Sequence, residues 1–323
     1  MSAPDASGVV SRPLISIILP TYNRSGTLRE AIASVRKQTY ERWELIVIDD
    51  GSTDDTGTLL AGLDEQRLRV IRVDHTGNPA RVRNAGLAVA RGTHVAFLDD
   101  DDLWRSDKLD KQMTGLEQSG CRWSYSAFER IDEQGRGIHA SDIVVWRPRG
   151  GWILEELLRI EAIIALPTVI VERTLLAEAG GFDEAFAYCQ DYELWFRLAS
   201  RAATHVETAK LGIVRVHPRS HQADRASVHA AWVRVYAKTA NTLTDPRLAA
   251  FCRPRSSYHA VVSARFAASR GDKAEGLELL MGSGRGAVAS LKWWSTLARV
   301  LLPSAWRERF GPFLAAHVLD VAD

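Results

Sequence analysis

The chain has 323 residues and balances 41 basic against 40 acidic side chains, so no global basic field draws it to nucleic acid. Its three cysteines, Cys121, Cys189 and Cys252, fit neither a zinc pattern nor an even-numbered disulfide framework, which points to a reducing compartment. Residues 1–13 lack a cationic start and an apolar h-region, and no run of about 18 apolar residues occurs. The expectation is a cytoplasmic protein with a disordered leader over residues 1–13.

The first apolar run, LISIIL at 14–19, is closed by Pro20, and residues 27–36 then show helical spacing through Leu28, Ile32 and Val35. ELIVI at 44–48 repeats the strand, followed by the loop DDGSTDD and a helix whose expected capping box is Ser52 with Asp55. LRVIRV leads to a helix over about 80–90 stopped by Gly92, and HVAFL at 94–98 is the fourth strand. Strands alternating with helices predict an α/β fold with a mostly parallel, doubly wound sheet buried on both faces. Ligands in such sheets bind beyond the carboxyl ends of the strands. Those ends carry PTYNR, DDGSTDD and DDDD.

Between residues 124 and 148 periodicity weakens, with Gly135 and Gly137 marking a hairpin or mobile loop, and helices are expected at 152–160 and 191–199. From about residue 226 the composition turns to Ala, Arg and Leu at helical spacing, broken by Pro246, Pro254, Gly271 and Pro303. The expected division is therefore a catalytic domain over 14–225 and an α-helical region over 226–323. Within that region, residues 258–281 read as a helix pair turning at Gly271-Asp272. Residues 291–310 mix Trp293, Trp294 and Trp306 with basic side chains. They suit either peripheral contact with an anionic membrane or packing on the catalytic domain or on a second copy in a homodimer.

The common phosphate-binding loops are missing. The one Gly-x-Gly-x-Gly cluster, Gly282 to Gly286, follows no strand, and Gly57 with Gly62 has Walker-A spacing but Leu63 where lysine belongs. A divalent cation gripped by carboxylates is the other way to hold phosphate. FLDDDDLW at 97–104 suits it: in an extended chain Asp99 and Asp101 point the same way, about 6.6 Å apart along the backbone. Asp100 and Asp102 then face elsewhere, with Asp102 expected to cap the following helix. A solvated acidic loop is the plain alternative.

PTYNR at 20–24, IDDGSTDDT at 48–56, RNAG at 83–86, FLDDDD at 97–102, and GGFDE at 180–184 with QDYELWFRL at 190–198 together resemble the family 2 glycosyltransferases of GT-A fold, over roughly residues 14–220. The resemblance implies an inverting transferase using a nucleoside diphosphate sugar, usually a UDP-sugar, with Mn²⁺ or Mg²⁺. The acceptor would be a glycan or lipid-linked glycan of cell-surface polysaccharide or lipopolysaccharide biosynthesis. It places Pro20, Thr21, Tyr22, Arg24, Asp50, Arg83, Asp99 and Asp100 on the nucleotide-sugar side. Asp101 and His217 become metal ligands, with Arg215 a weaker candidate for a group near the metal and diphosphate, and Asp191 becomes the general base. The family's Glu before that Asp is Gln190 here, which makes Glu193 a fallback base.

Read without the family, Tyr22 offers a flat face to a base or to the sheet edge, Asp50 suits a turn cap equally well, and Arg83 suits any surface carboxylate. Two other functions share parts of the pattern. A sugar-phosphate nucleotidyltransferase needs a Gly-rich, Arg-bearing loop where PTYNR stands. A non-catalytic nucleotide-sugar-binding protein would keep Asp50 and Asp101 but tolerate loss of Asp191.

Overall fold

The computed structural model of the chain describes residues 12–138, 148–217, 225–284, 288 and 290–301. Part of the hairpin or loop expected between residues 124 and 148, at 139–147, and Trp306 of the 291–310 segment lie outside that set. The chain divides into two compact units, up to residue 218 and from residue 219.

The first unit opens with β1 (Ile15–Thr21), α1 (Ser25–Arg36), β2 (Trp43–Asp49), α2 (Thr56–Ala61), β3 (Leu68–Arg72), α3 (Pro79–Leu87) and β4 (His94–Phe97). These four strands are parallel neighbours in the order β3-β2-β1-β4. The apolar runs of β1, β2 and β4 are buried on both faces, with Ile15, Ile17, Leu19, Leu45, Val47 and Ala96 in one cluster with α1 residues Leu28, Ile32 and Val35, whereas the edge strand β3 leaves Val70 exposed. Helix α3 lies so close to the sheet that a Cβ on Gly86 would stand 2.6 Å from Ile48 Cδ1. The chain moves outward from β1 through β2 to β3, then returns to β4 on the other side of β1. This reversal opens a crevice at the carboxyl ends of β1, β2 and β4.

Beyond β4 the sheet departs from the parallel expectation. β5 (Leu103–Trp104), β6 (Trp123–Ile131), β7 (Ile170–Glu172) and β8 (Thr204–Arg215) complete eight strands in the order β3-β2-β1-β4-β7-β6-β8-β5. β7 is antiparallel to β4 and β6, β6 is parallel to β8, and β5 is antiparallel to β8. The helices of this half are α4 (Lys108–Ser119), α5 (Leu154–Leu158), α6 (Arg173–Ala179) and α7 (Gln190–Ala199).

Several local expectations are corrected. Asp102 caps no helix: β5 follows it directly, and α4 begins only at Lys108. Ser52 and Asp55 form no capping box, because Ser52 Oγ accepts from Asn23 N (2.9 Å) and α2 starts later, with no side-chain cap from Asp55. Helix α3 ends at Leu87, before Gly92. The helix expected at 152–160 is confined to α5, and Ile160 is left-handed at φ 57°. Arg12 and Pro13 do not belong to a loose leader, since Arg12 lies over the Tyr40 ring and pairs with Asp110 (2.5 Å), while Tyr40 Oη donates to Pro13 O (2.5 Å).

The second unit contains α8 (Arg225–Thr242), α9 (Pro246–Arg270), α10 (Lys273–Gly282) and α11 (Leu291–Leu301). Asp245 caps α9 through Arg247 N, and the α9–α10 turn falls at Gly271 (φ 86°) and Asp272, whose carboxylate accepts from Glu275 N. Val261, Ala264, Ala268, Leu280, Trp293 and Val300 form its core.

Candidate functional site

Three loops meet at the crevice. In the first, after β1, Asn23 is left-handed (φ 51°) and its Oδ1 accepts from Thr53 N at 2.7 Å, tying this loop to the one after β2. In the second, Asp49 closes its own turn by accepting from Ser52 N at 2.8 Å. The turn-capping alternative for Asp50 is thereby taken by its neighbour. Asp50, 5% exposed, reaches the β3–α3 loop, where it accepts from Thr76 N (2.8 Å) and Gly77 N (3.0 Å) and pairs with His75 Nδ1 (2.9 Å). The His75 ring is stacked on Tyr22, centroids 4.0 Å apart and 17° from parallel. Gly51 makes room for this: at φ 77°, a Cβ there would stand 2.9 Å from His75 N.

In the third loop the four aspartates are not extended. Asp102 N donates to Asp99 O at 3.1 Å, closing a turn that points the four carboxylates in different directions, with Arg24 shared by Asp100 and Asp101. Asp99 accepts from Arg83 Nη2 (2.5 Å). Asp100 accepts from Thr21 Oγ1 (2.8 Å) and Arg24 Nη1 (3.2 Å), so it is a buried knot between loops. Asp101 pairs with Arg24 and with His217 Nε2 (2.8 Å). Asp102 accepts from Arg215 N (2.8 Å), while Arg215 Nε donates to Asp101 O (3.1 Å) and its Nη2 pairs with Glu30. Arg215 therefore braces the turn from behind, away from a ligand role.

Burial pushes the Asp100 carboxyl up to about 7, with the Asp101 charge adding and Arg24 opposing. Burial raises Asp102 well above the carboxylate range, again with Asp101 adding. Asp191, on the first turn of α7, is also raised, chiefly by burial; its own Tyr192 N–H and the Arg83 charge pull the other way. Arg83 and Asp99 both act on Asp191, so α3, the acidic turn and α7 share one electrostatic field. Arg83 is 5% exposed, and its Nε and Nη1 have no partner among the described residues. Buried unpaired guanidinium N–H groups are costly, and they suit an anionic ligand.

Glu193 does not share this field as a free base. It is buried and ion-paired with Arg197, which also donates to Ala179 O. His75, Thr76 and Gly77 were missed by the sequence reading. Their signal was present in HTGNP at 75–79, turn residues at the same sheet edge as the three acidic and polar loops.

Among the described residues no group of three His, Cys, Asp or Glu could hold a metal ion. Asp101 and His217 nevertheless place an oxygen and a nitrogen donor 2.8 Å apart. Two protein donors with diphosphate and water completing the shell suit Mg²⁺ or Mn²⁺. Arg24 shares the same Asp101 oxygen, so it would have to yield part of that contact.

A switch-point crevice walled by an acidic turn after β4, in a sheet of this mixed order, defines a GT-A glycosyltransferase fold. TarS residues 1–349 of S. aureus in complex with UDP-GlcNAc superimposes with a TM-score of 0.60 at 18% identity, over 94% of this chain and 86% of that one. The mannosyltransferase PcManGT from Pyrobaculum calidifontis in complex with GDP-Man and Mn²⁺ gives 0.58 at 19% identity, over 97% and 87%. The family model "Glycosyl transferase family 2" matches residues 16–164. The E. coli UDP-Glc:alpha-D-GlcNAc-diphosphoundecaprenol beta-1,3-glucosyltransferase WfgD is 33% identical over 188 residues, covering 57% of this chain and 69% of WfgD. The chain belongs to glycosyl transferase family 2. It spans about a third of the length of the Rickettsia conorii and Rickettsia felis glycosyltransferases it also matches.

Proposed function

We propose that the chain moves a sugar from a nucleoside diphosphate sugar, a UDP-sugar, to an acceptor hydroxyl with inversion at the anomeric carbon. The observation that carries this reading is the buried Arg83, with two unpartnered nitrogens, Nε and Nη1, beside Asp99 and in the field of Asp191. An anionic donor satisfies Arg83, and a raised carboxyl beside it is a proton acceptor. Thr21, Tyr22, Arg24 and Asp50 border the nucleoside side, with Pro20 at the end of β1. The acceptor oxygen attacks the anomeric carbon, its proton passes to the Asp191 carboxylate, and the bond to the diphosphate breaks. Held by Asp101 and His217, Mn²⁺ or Mg²⁺ would neutralise the departing diphosphate.

WfgD acts, by its name, on a diphosphoundecaprenol-linked sugar, which supports a lipid-linked or cell-surface glycan as acceptor here. No helix of the described residues is long and apolar enough to cross a membrane. We assign any membrane contact to the surface of the C-terminal helices.

Asp191→Asn tests the reading. Turnover of UDP-sugar should fall by about 10²–10⁴-fold, while UDP-sugar binding with Mn²⁺, followed by calorimetry, stays at the wild-type level. In the wild type, activity should be lost as pH falls through the raised Asp191 value, so the acid limb lies above the ordinary 3.8. Unchanged turnover in Asp191→Asn removes the base assignment. Binding without turnover in the wild type, across a panel of UDP-sugars and acceptors, favours a non-catalytic binding protein.

A further inference from the structure

The β3–α3 loop places a ring of this chain on the two groups offered to a nucleobase. The His75 imidazole is stacked on Tyr22 at 4.0 Å, and its Nδ1 stands 2.9 Å from Asp50 Oδ2 and 3.0 Å from Asp50 O. A flat heterocycle against an aromatic face, with a ring N–H toward a carboxylate, is the pattern a base with a ring N–H would make, as uracil does. Resting on the nucleotide-sugar reading above, we propose that His75 holds the place of the donor's base. The base then enters by displacing the imidazole from Tyr22 and Asp50.

The backbone favours a change confined to the side chain. Thr76 N and Gly77 N are anchored on the Asp50 carboxylate, and Val73 N donates to Asp49 O at 2.9 Å, so residues flanking His75 are fixed to the end of β2. Gly51 packs against the His75 backbone, which leaves no room for an inward shift of the loop. The His75 side chain itself is 47% exposed and has solvent to rotate into. Once it turns out, Asp50 keeps its two backbone donors and regains one acceptor direction for the base. His75 is thus a specificity element: a base without a ring N–H cannot replace the bond it gives up, and binds against an intact competitor.

A binding site whose competent state is only part of the population shows an affinity reduced by that fraction. Removing the competitor should therefore tighten binding. With the full chain, Mn²⁺ and UDP in a calorimeter, His75→Ala is expected to lower the UDP Kd by about three- to tenfold. His75→Phe, which still offers Tyr22 a ring, should bind UDP less tightly than His75→Ala. In the wild type, the His75 imidazole resonance should move on addition of UDP toward that of a solvent-exposed histidine. Equal or weaker UDP binding by His75→Ala, or a His75 resonance unmoved by saturating UDP, overturns the proposal and leaves the nucleotide-sugar reading standing. Failure of wild type and both variants to bind any UDP overturns both.

Discussion

Asp191 and Glu193 stand two residues apart on the first turn of α7, and the helix sends them to opposite fates. Residues i and i+2 do not share a helix face. Asp191 enters the field of Arg83 and Asp99, whereas Glu193, 2% exposed at its side chain, is gripped by Arg197. Truncating one partner of a buried pair leaves the other charge uncompensated, at a cost of about 3–5 kcal/mol. Glu193→Ala should therefore lower the urea unfolding midpoint markedly while the remaining folded enzyme keeps its turnover per molecule. Full stability with abolished turnover would make Glu193 the base after all. The helical phase that separates these carboxylates was already in the sequence, and it argued against the fallback. The Tyr22–His75–Asp50 contact was not legible there, because His75 meets its partners across 53 and 25 positions of chain. Nor could alternation along DDDD reveal that Asp100 is the knot, since a turn abolishes the period of two on which that argument depends.

At the scale of elements, legibility followed length. β1 and β2, seven residues each, announce themselves as apolar runs. β5 and β7, with two and three residues, are too short for any period to show. Their antiparallel pairing, which turns the parallel half-sheet into a mixed one, is set by partners far away in sequence. Helix α11 shows the converse case, a clear pattern with two uses. Trp293 is buried against Leu280 O and Ser283, while Trp294 is 54% and Leu301 57% exposed. Residues 219–323 carry 15 basic and 8 acidic side chains, whereas residues 1–218 carry 26 and 32. Exposed aromatic and aliphatic groups on a cationic segment favour an anionic bilayer surface. The full chain should float with vesicles of equal parts phosphatidylglycerol and phosphatidylcholine, and not with phosphatidylcholine alone. A Trp294→Ser, Leu301→Ser double variant should lose most of that binding. Flotation equal to wild type would end the membrane reading and turn attention to a second copy of the chain.

Two compact units in one molecule imply that stability need not respond to pH as one quantity. The second unit holds a histidine pair outside the candidate site: His229 Nδ1 and His259 Nδ1 are 2.8 Å apart, so one donates and the other accepts. Trp232 and Tyr236 of α8 stack on His259, Tyr258 meets it edge-on, and Arg255 adds a positive charge. Burial first, then His229 and Arg255, lowers His259 from 6.5 to about 3. The native unit therefore keeps His259 neutral where the unfolded chain would protonate it. Its contribution to stability is complete above pH 6.5 and is lost as pH falls toward 3. One such proton sets a ceiling of about 1.4 kcal/mol per pH unit, reduced here because the ring is only part-buried and screened by solvent. His259→Gln keeps an acceptor for His229 and cannot titrate. Acidification from about pH 7 to about pH 5 should therefore lower the wild-type thermal midpoint more than that of the variant, as read by circular dichroism of the full chain. A midpoint difference that stays constant across that range would show that His259 is protonated equally in folded and unfolded chains, and that the pair contributes packing alone.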